Sequence, residues 1–433
     1  MSEQWQHYSI RELAENAPQS FTDGDWVEAP HIRESGIRLI QTGNIGIGHF
    51  IDRSKKYISQ TSFDALNCKE VFPGDLLICR LAEPIGRACF APDLGERMIT
   101  SVDVTILRVD KTTFDTRFIA FGINTPEALH QCEVVAGGTT RQRISRSNLG
   151  KVKIKAPKVG VQRQIAEILS TLDEMIEQTE ALIAKMQQVK AGLMHDLFTR
   201  GVTHYGHLRP TREHAPNLYK ESPLGWIPKE WEAELLDSLA QRGSGHTPNK
   251  NHPEFWDGGI KWVSLADSWR LDRVHISETD KEISEQGIGN SSAVLHPPGI
   301  VVLSRDAGVG KSAITTCSMA VSQHFMCWRC GPQLDNYYLY YWLQDKKREF
   351  ENIATGSTIP TIGLRFFKHY RINVPREIEE QKQIGETLLS LDQSIFELEN
   401  DANKLKSVKH GLMHDLLTGR VRMPEDLRLL AVV

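Results

Sequence analysis

Residues 305–312, Arg-Asp-Ala-Gly-Val-Gly-Lys-Ser, end like a phosphate-binding loop. In such a loop, backbone N–H groups surround the phosphates, a lysine offsets their charge and a serine hydroxyl binds magnesium. The full pattern needs a glycine where Arg305 stands, and the corresponding segment 86–88, Gly-Arg-Ala, has no Lys-Ser pair. We therefore interpret 308–312 as a tight turn that presents a basic residue. A nucleotide-hydrolysing enzyme that uses these residues stays open as an alternative.

Cys327 and Cys330 form a single Cys-x-x-Cys pair. A structural zinc site needs four ligands, and no second pair follows at finger-like spacing, so buried thiols in a strand are the favoured interpretation. The sequence also has no Asn-Pro-Pro-Tyr motif for base methylation, no nuclease core and no Gly-x-Ser-x-Gly elbow. It therefore predicts a protein with no catalytic residues and no metal site.

The composition is that of a globular protein with two or more domains. Of 433 residues, 40% are hydrophobic and 24% are charged, and the formal net charge is −4. The apolar runs are too short to span a membrane, no signal peptide is visible, and the seven cysteines are few, so a reducing cytoplasm is expected. Because non-specific DNA binders are usually basic, a nucleic-acid role would need local basic patches or a partner that supplies positive charge.

An internal repeat organises the rest of the chain. Residues 162–197 begin Gln-Arg-Gln-Ile-Ala-Glu and end Gly-Leu-Met-His-Asp-Leu, and residues 381–416 begin Gln-Lys-Gln-Ile-Gly-Glu and end with the same six letters. The two segments lie 219 residues apart without a gap. Similarity at a fixed offset indicates two copies of one element.

Each copy is predicted to be a long helix, followed by a C-cap glycine at Gly201 or Gly419. A helix from 161 to 199 would span roughly 58 Å, whereas an average globular helix has about 11 residues. We therefore expect the two helices to pack on each other along a heptad seam. In the first helix the predicted seam consists of Ile165, Ile168, Leu172, Met175, Leu182, Met186, Val189 and Leu193, and in the second of Ile384, Leu391, Leu398, Leu405 and Leu412.

The regions before the two helices also correspond, more weakly. They contain turns, apolar strands that end in arginine, and a closing strand with proline before each helix. The matching segments are 36–40 with 259–263, 73–80 with 298–305, 86–88 with 310–312, 138–144 with 356–362, and 152–157 with 370–375. The predicted layout is a globular domain 1–157, a long helix 158–201, a linker 202–230, a second globular domain 231–375, a second long helix 376–420 and a tail 421–433.

With this layout the sequence resembles the specificity subunit of type I restriction-modification systems. The resemblance covers essentially the whole chain. It rests on Gly-Trp-Ile-Pro-Lys-Glu-Trp at 225–231, Gly-Ser-Thr-Ile-Pro-Thr-Ile at 356–362, Gln-Lys-Gln-Ile at 381–384 and the repeated Gly-Leu-Met-His-Asp-Leu. In the first domain, Arg-Gln-Arg at 141–143 departs from the usual Ile-Pro-x, and the added arginines favour phosphate contact there.

The resemblance implies an α+β fold with two globular α/β target recognition domains, each followed by a long helix. The two helices would pack as an antiparallel coiled coil with pseudo-twofold symmetry and act as a spacer. Each domain would read one half of an asymmetric, bipartite target in double-stranded DNA. A spacer of roughly 58 Å is long enough to hold two readers about one turn of DNA apart, roughly 34 Å.

The resemblance further implies a chain that is not an enzyme on its own. Two DNA methyltransferase subunits would dock on it, and two motor-nuclease subunits would complete a restriction complex for phage defence. S-adenosylmethionine, ATP and magnesium would bind in those partner subunits, with no cofactor in this chain, and adenine is the expected methylated base. A coiled-coil scaffold without a nucleic-acid role stays open as a second alternative.

The residues expected to contact DNA are polar and basic side chains at the predicted turns and loops, because such groups read base edges and phosphates. In the first domain they are Gln41, Asn44, Arg80, Arg87, Thr139, Thr140, Arg141, Gln142, Arg143 and Arg146. In the second domain they are Ser264, Asp267, Arg305, Lys311, Gln323, His324, Ser357 and Thr358, with Ser322 beside them. The hypothesis is that the set lines the DNA-facing surface.

Overall fold

The computed structural model describes residues 5–138, 141–356 and 360–421. By its contacts the chain divides into two compact units, the first formed by Met1–Thr179 with Asp401–Val433 and the second by Glu180–Asn400. Each long helix therefore contributes one part to the first unit and one part to the second. The domain boundaries drawn along the sequence stay a prediction.

The first unit mixes sheets with short helices. One sheet is antiparallel, with Leu76–Cys79 between Val104–Leu107 and Ala88–Phe90. A second sheet contains the parallel pair Ile37–Ile40 and Met98–Thr100. The strands of the unit are Gln6–Ser9, Phe21–Asp23, Ile32–Arg33, Ile37–Ile40, Lys56–Ile58, Glu70–Val71, Leu76–Cys79, Ala88–Phe90, Met98–Thr100, Val104–Leu107 and Lys153–Ala156, and its short helices are Ile10–Leu13, Ala29–His31, Thr42–Asn44, Gln60–Ala65, Thr116–Ile123, Pro126–Val134 and Arg146–Leu149.

The second unit repeats this arrangement. Val301–Ser304 lies between Phe325–Cys330 and Ser312–Thr315, and Trp256–Val263 pairs in parallel with Ala320–Val321. Its strands are Tyr219–Ser222, Gly225–Pro228, Trp231–Leu235, Ala240–Ser244, Trp256–Val263, His275–Ile276, Lys281–Ile283, Val301–Ser304, Ser312–Thr315, Ala320–Val321, Phe325–Cys330 and Arg371–Pro375, and its short helices are Pro216–Leu218, Leu236–Leu239, Pro253–Phe255, Leu265–Trp269, Glu285–Gly289, Asn336–Asp345, Lys347–Ile353 and Leu364–Lys368.

The strands predicted from the repeated segments are confirmed. Leu76–Cys79 and Val301–Ser304 follow Pro-Gly turns and are buried along their whole length, as expected for apolar central strands. Each unit also has a two-stranded ladder whose second strand precedes the long helix, Lys153–Ala156 in one and Arg371–Pro375 in the other. The predicted linker contains an ordered hairpin, Tyr219–Ser222 with Gly225–Pro228.

The long helices, Val159–Thr199 and Ile378–Thr418, each have 41 residues. A repeated glutamine near each start fastens the helix to its unit. The Gln162 side chain accepts a hydrogen bond from the Asp115 backbone N–H (2.9 Å), and the Gln381 side chain accepts one from the Asp335 backbone N–H (2.9 Å). Both aspartates cap short helices. Both glutamines are buried, so the Gln-x-Gln-Ile repeat has a structural role.

In the second unit the long helices run antiparallel. Lys190 pairs with Asp392 at 2.5 Å, and Val202, just beyond the first helix, donates its N–H to Glu380 near the start of the second. In the first unit, the start of the first helix and the end of the second share one core, and Asp173 pairs with Lys409. A coiled coil along the full length of both helices stays a prediction.

The predicted seam of the first helix is wrong at three of its eight positions. Met175, Leu182 and Val189 are 45%, 44% and 47% exposed. Ile165 is buried as predicted, and the other buried apolar positions of this helix lie outside the predicted seam, at Ala166, Leu169, Ile176, Leu197 and Phe198. Steps of three and four fit two neighbouring stripes on one helix, and only contact with the rest of the unit selects the stripe that is buried.

Candidate nucleic-acid interface

A loop preceding the last short helix of each unit is closed at its base by paired backbone hydrogen bonds. The Gly137 N–H donates to the Arg143 carbonyl (2.9 Å), and the Arg143 N–H donates back (2.8 Å). Thr355 and Thr361 form the same reciprocal pair, at 3.2 and 2.9 Å. We call residues 137–143 and 355–361 the loop segments. The predicted contacts Thr139, Thr140, Ser357 and Thr358 fall within them but outside the described residues.

An arginine at the end of a central strand holds each loop segment in place. Arg80 donates through Nη1 to the Ile144 carbonyl (3.0 Å), and Arg305 donates through Nε to the Ile362 carbonyl (3.1 Å). Arg80 is 3% exposed, and its guanidinium also donates to the Val102 carbonyl. These arginines were predicted to contact DNA. Arg80 is buried, so it has a supporting role instead, because a buried guanidinium bound to carbonyls cannot reach a phosphate or a base. Arg305 is partly exposed and stays a predicted contact.

A short turn after the parallel-paired strand forms a second segment of the site. The Asn44 side chain accepts a hydrogen bond from the Gln41 N–H (2.9 Å), and Asp267 accepts one from the Ser264 N–H (2.9 Å). Asn44 and Asp267 are 1% and 0% exposed. We call residues 41–49 and 264–270 the turn segments. The prediction that these two side chains read DNA is corrected, since both are used to shape the turn.

Each central strand forms a hairpin with the strand that follows it, and a basic residue of this hairpin hydrogen-bonds to the turn segment. The residue is Arg87 in the first unit and Lys311 in the second. Arg87 donates to the Ile45 carbonyl (2.7 Å) and to the Thr42 carbonyl (2.9 Å). Lys311 donates to the Ser268 carbonyl (3.1 Å). Arg87 is buried, so its predicted DNA contact is also replaced by a positioning role.

A third segment completes each site. The Ser101 N–H donates to the Ile40 carbonyl (2.9 Å), and the Ser322 N–H donates to the Val263 carbonyl (2.9 Å). These bonds place residues 101–103 and 322–324 against the turn segments. The backbone also joins these residues to the strand-end arginines, through Arg80 to Asp103 (2.8 Å) and Arg305 to His324 (3.0 Å).

The structure thus brings the described predicted residues of each unit into one cluster, and divides that cluster by exposure. Asn44, Arg80, Arg87, Ser264 and Asp267 are buried, whereas Gln41, Arg305, Lys311, Arg146 and His324 are partly exposed and Arg141, Gln142, Arg143 and Gln323 are exposed. The exposed members remain predicted DNA contacts.

Carboxylates that the sequence did not mark as part of the site lie among the basic groups. In the first unit, Arg143 lies 2.7 Å from Asp103, and Arg80 lies 3.1 Å from Asp23. In the second, the His324 ring lies 2.6 Å from Asp306. No local motif marks these acids, because they meet their partners through the tertiary fold. They offset positive charge at the surface where DNA contact is predicted.

Two exposed apolar side chains on the turn segments were missed as well. Ile47 is 49% exposed and Trp269 is 61% exposed. The signal for Ile47 was present in the sequence, since it stands between two glycines in Gly-Ile-Gly.

The phosphate-binding alternative is not favoured by the geometry. In a phosphate-binding loop the Lys-Ser pair opens a helix, whereas Ser312 begins the strand Ser312–Thr315 and is buried. Its hydroxyl accepts a hydrogen bond from Gln344 (2.8 Å), and its N–H donates to Asp272 (3.1 Å). The Ser312 side chain is therefore buried and hydrogen-bonded within the unit, away from any surface where a phosphate and magnesium could bind.

The Cys-x-x-Cys pair lies on the strand Phe325–Cys330. Burial raises the pKa of the Cys327 and Cys330 thiols to about 12. Within residues 5–138, 141–356 and 360–421, no group of three His, Cys, Asp or Glu side chains is placed to hold a metal ion. In the same residues, no helix is long and apolar enough to cross a membrane.

The sequence profile of the type I restriction modification DNA specificity domain matches residues 3–188 and 228–409. The chain is 25% identical to the type I restriction enzyme MjaVIII specificity subunit of Methanocaldococcus jannaschii over 76% of each chain. It is 24% identical to the EcoR124I/EcoR124II specificity subunit of Escherichia coli, over 68% of this chain and 66% of that one.

Two solved structures share the fold. The S subunit of a type I restriction-modification system from M. genitalium matches with a TM-score of 0.61 over 98% of each chain, at 14% identity. A chain from a structural study of complex assembly and conformational transition in a type I system matches with a TM-score of 0.54, covering 95% of this chain and 97% of that one at 15% identity.

Proposed function

Because the chain belongs to the type I restriction modification DNA specificity family, we propose that each of its units reads one half of a bipartite DNA target. The chain is the specificity subunit of such a system and is not expected to catalyse a reaction itself. One observation carries the proposal. The same hydrogen-bonded backbone scaffold recurs in both units, while the residues carried on it differ. Arg-Gln-Arg at 141–143 corresponds in sequence to Ile-Pro-Thr at 359–361, and Gln323 and His324 correspond to Val102 and Asp103.

Two units that share a scaffold but carry different side chains on it are suited to recognise two different DNA sequences. Exposed arginine can bond guanine through two hydrogen bonds, and glutamine can bond adenine in the same way. Each unit would therefore favour a different half-site, and the complete target would be asymmetric. Buried anchors such as Arg80 and Arg87 would keep the readers in a constant position.

We assign tight DNA binding to the assembled complex. The formal net charge of −4 and the carboxylates Asp23, Asp103 and Asp306 offset the exposed cations. Two methyltransferase subunits would supply further phosphate contacts, and two motor-nuclease subunits would join them for restriction. In this proposal S-adenosylmethionine, ATP and magnesium bind in those partners, which modify adenine, and the complex works in the cytoplasm.

The deciding experiment is methylation sequencing in a host that lacks DNA methylation. The host expresses the chain together with the methyltransferase encoded beside it, and then each protein alone. We expect a split motif that is methylated only when both are present. Association without any methylated motif would contradict sequence selection and favour the scaffold alternative, and failure to associate would contradict the assembly.

A second experiment tests the exposed cations. Replacing Arg141 and Arg143 by Ala should weaken DNA binding by the assembled methyltransferase and make its salt dependence shallower by about 1–2 in the logarithmic slope. The matched control replaces Lys111 and Arg117, which are also exposed cations of the first unit. Equal affinity and salt slope in both double variants would remove the loop segment from the interface.

A further inference from the structure

Each turn segment presents a large apolar side chain to solvent. Ile47 and Trp269, 49% and 61% exposed, follow the parallel-paired strands Ile37–Ile40 and Trp256–Val263 by similar distances along the chain. Single exposed apolar residues are common on protein surfaces and need no explanation by themselves. Their occurrence in the corresponding turn of both repeats, although the turn sequences differ, does need one.

Hydrogen bonds fix the backbone of the first turn, which carries Ile47. The Gly46 N–H donates to the His49 carbonyl (3.0 Å), and the Gly48 N–H donates to the Ala88 carbonyl (2.9 Å). Gly48 has a φ of 78°, a conformation that favours glycine. Together with the Arg87 bond to the Ile45 carbonyl, these contacts project Ile47 from a tight, tethered turn.

The second turn, which carries Trp269, is fixed by side-chain contacts. The Arg270 guanidinium lies over the Trp269 ring, 4.2 Å from its centre, and 3.2 Å from the Asp267 carboxylate. Asp267 also accepts the Asp280 N–H (2.7 Å). The Lys311 bond to the Ser268 carbonyl ties down the residue just before Trp269. The indole is therefore oriented by its neighbours while most of it stays in solvent.

We propose that Ile47 and Trp269 make apolar contacts to base edges, each in the half-site that its own unit reads. This inference rests on the proposed function, because the same surface must face DNA. A base edge in a groove mixes hydrogen-bonding groups with the apolar methyl of thymine. An aliphatic or aromatic side chain beside polar readers such as Gln41 or Gln323 matches that mixture.

A protein partner fits this surface less well. A specific protein interface buries about 800 Å² on each partner and has an apolar core. Here each turn segment exposes one large apolar side chain, with Gln41 on the same segment in the first unit and Arg270 against the Trp269 ring in the second. One apolar side chain with polar neighbours is suited to contact with one or two base pairs.

The test uses the complete assembly with methyltransferase, carrying Ile47→Ala or Trp269→Ala. Controls are Phe72→Ala and Leu295→Ala, which remove apolar side chains that are 52% and 47% exposed. Both lie outside the turn segments, the loop segments and the third segments, and they precede the strands Leu76–Cys79 and Val301–Ser304. The readouts are the methylated motif and competition binding with every single-base change in the target.

We expect each turn variant to lose about tenfold to a hundredfold discrimination at one or two adjacent base pairs. The affected positions should lie in different half-sites for Ile47 and Trp269, and the controls should keep the wild-type preferences. If the wild type methylates a split motif but both turn variants retain every base preference, the inference is overturned and the proposed function stands. If the wild type methylates no motif, the proposed function itself fails.

Discussion

The Lys190 ammonium of the first long helix lies 2.5 Å from the Asp392 carboxylate of the second. The same pair recurs 219 positions away with the helices exchanged, because Lys409 of the second helix pairs with Asp173 of the first. Each lysine also lies near an aromatic ring, Lys190 at 5.5 Å from Tyr341 and Lys409 at 5.4 Å from Phe121. The duplication thus preserved a polar crosslink between the helices as well as their apolar faces.

Replacing Lys190 by Met should lower the free energy of unfolding by about 1–2 kcal/mol. The pair is largely shielded, with 22% and 20% of the two side chains exposed, and its loss leaves a carboxylate without its cation. Urea unfolding of the single variants and of the double variant with Asp392→Asn measures the coupling. The control is Lys382→Met, whose partner Glu379 is 65% exposed, with an expected change within about 0.5 kcal/mol. Equal decreases in the free energy of unfolding for Lys190→Met and Lys382→Met would contradict a stabilising role for the pair of Lys190 with Asp392.

Gly201→Ala should destabilise the second unit by more than about 2 kcal/mol. Gly201 has a φ of 62°. An added Cβ would lie 2.6 Å from the Trp231 ring and would also clash with the Glu380 carboxylate. Gly206 provides a matched control, since it has a φ of 77° but no heavy atom within 4 Å of an added Cβ. Gly206→Ala should therefore cost only the backbone strain, about 1 kcal/mol. Similar thermal midpoints for the two variants would argue against the close packing at Gly201.

Glu380→Gln should cost about 3 kcal/mol of stability, because it removes the buried countercharge of Arg209 and leaves only the exposed Glu230 carboxylate, 3.8 Å away. The buried Glu380 carboxylate accepts hydrogen bonds from Arg209, from the Val202 N–H (3.0 Å) and from the Trp231 indole (3.1 Å). The neighbouring Glu379→Gln is the control, since Glu379 is exposed and its ion pair spans 3.7 Å. Urea midpoints that match for the two variants would exclude this network as a main tie between linker and helix.

Cys327 and Cys330 should resist alkylation in the folded protein. Burial raises the pKa of both thiols to about 12, so at pH 8 only about one molecule in ten thousand carries the reactive thiolate. Urea should expose both thiols and speed their labelling. Since the folded pKa exceeds the unfolded value, stability should also fall as the pH rises above about 8.5. Rapid labelling of native protein at pH 8, read by mass spectrometry, would show that the strand opens.

Several elements follow from local pattern. The Gln-x-Gln-Ile and Gly-Leu-Met-His-Asp-Leu repeats predicted two long helices, and both are present. The strands at 76–79 and 301–304 followed from apolar runs after Pro-Gly turns. Gly201 and Gly419 have the positive φ that a C-cap requires, 62° and 72°. Such features depend on neighbouring residues, which the sequence displays directly.

The candidate site was predictable as a set but not residue by residue. Residues far apart in the chain, such as Gln41, Lys311 and His324, do belong to clusters within their units. Sequence could not show that Asn44 and Asp267 point inward to shape a turn, because a polar side chain in a loop can serve the backbone or the solvent equally well. It also could not show Asp103 beside Arg143, a pair that forms only when two segments of the unit meet.

The sequence alone establishes the duplication, the long helices and the family, because repetition and periodicity are properties of the order of residues. The tertiary structure decides which helix stripe is buried, which arginines become anchors and which side chains remain free to meet DNA. That choice depends on burial, and a polar group that is buried must find its partners inside the protein. Arg87 finds carbonyls there, whereas Arg141 stays exposed.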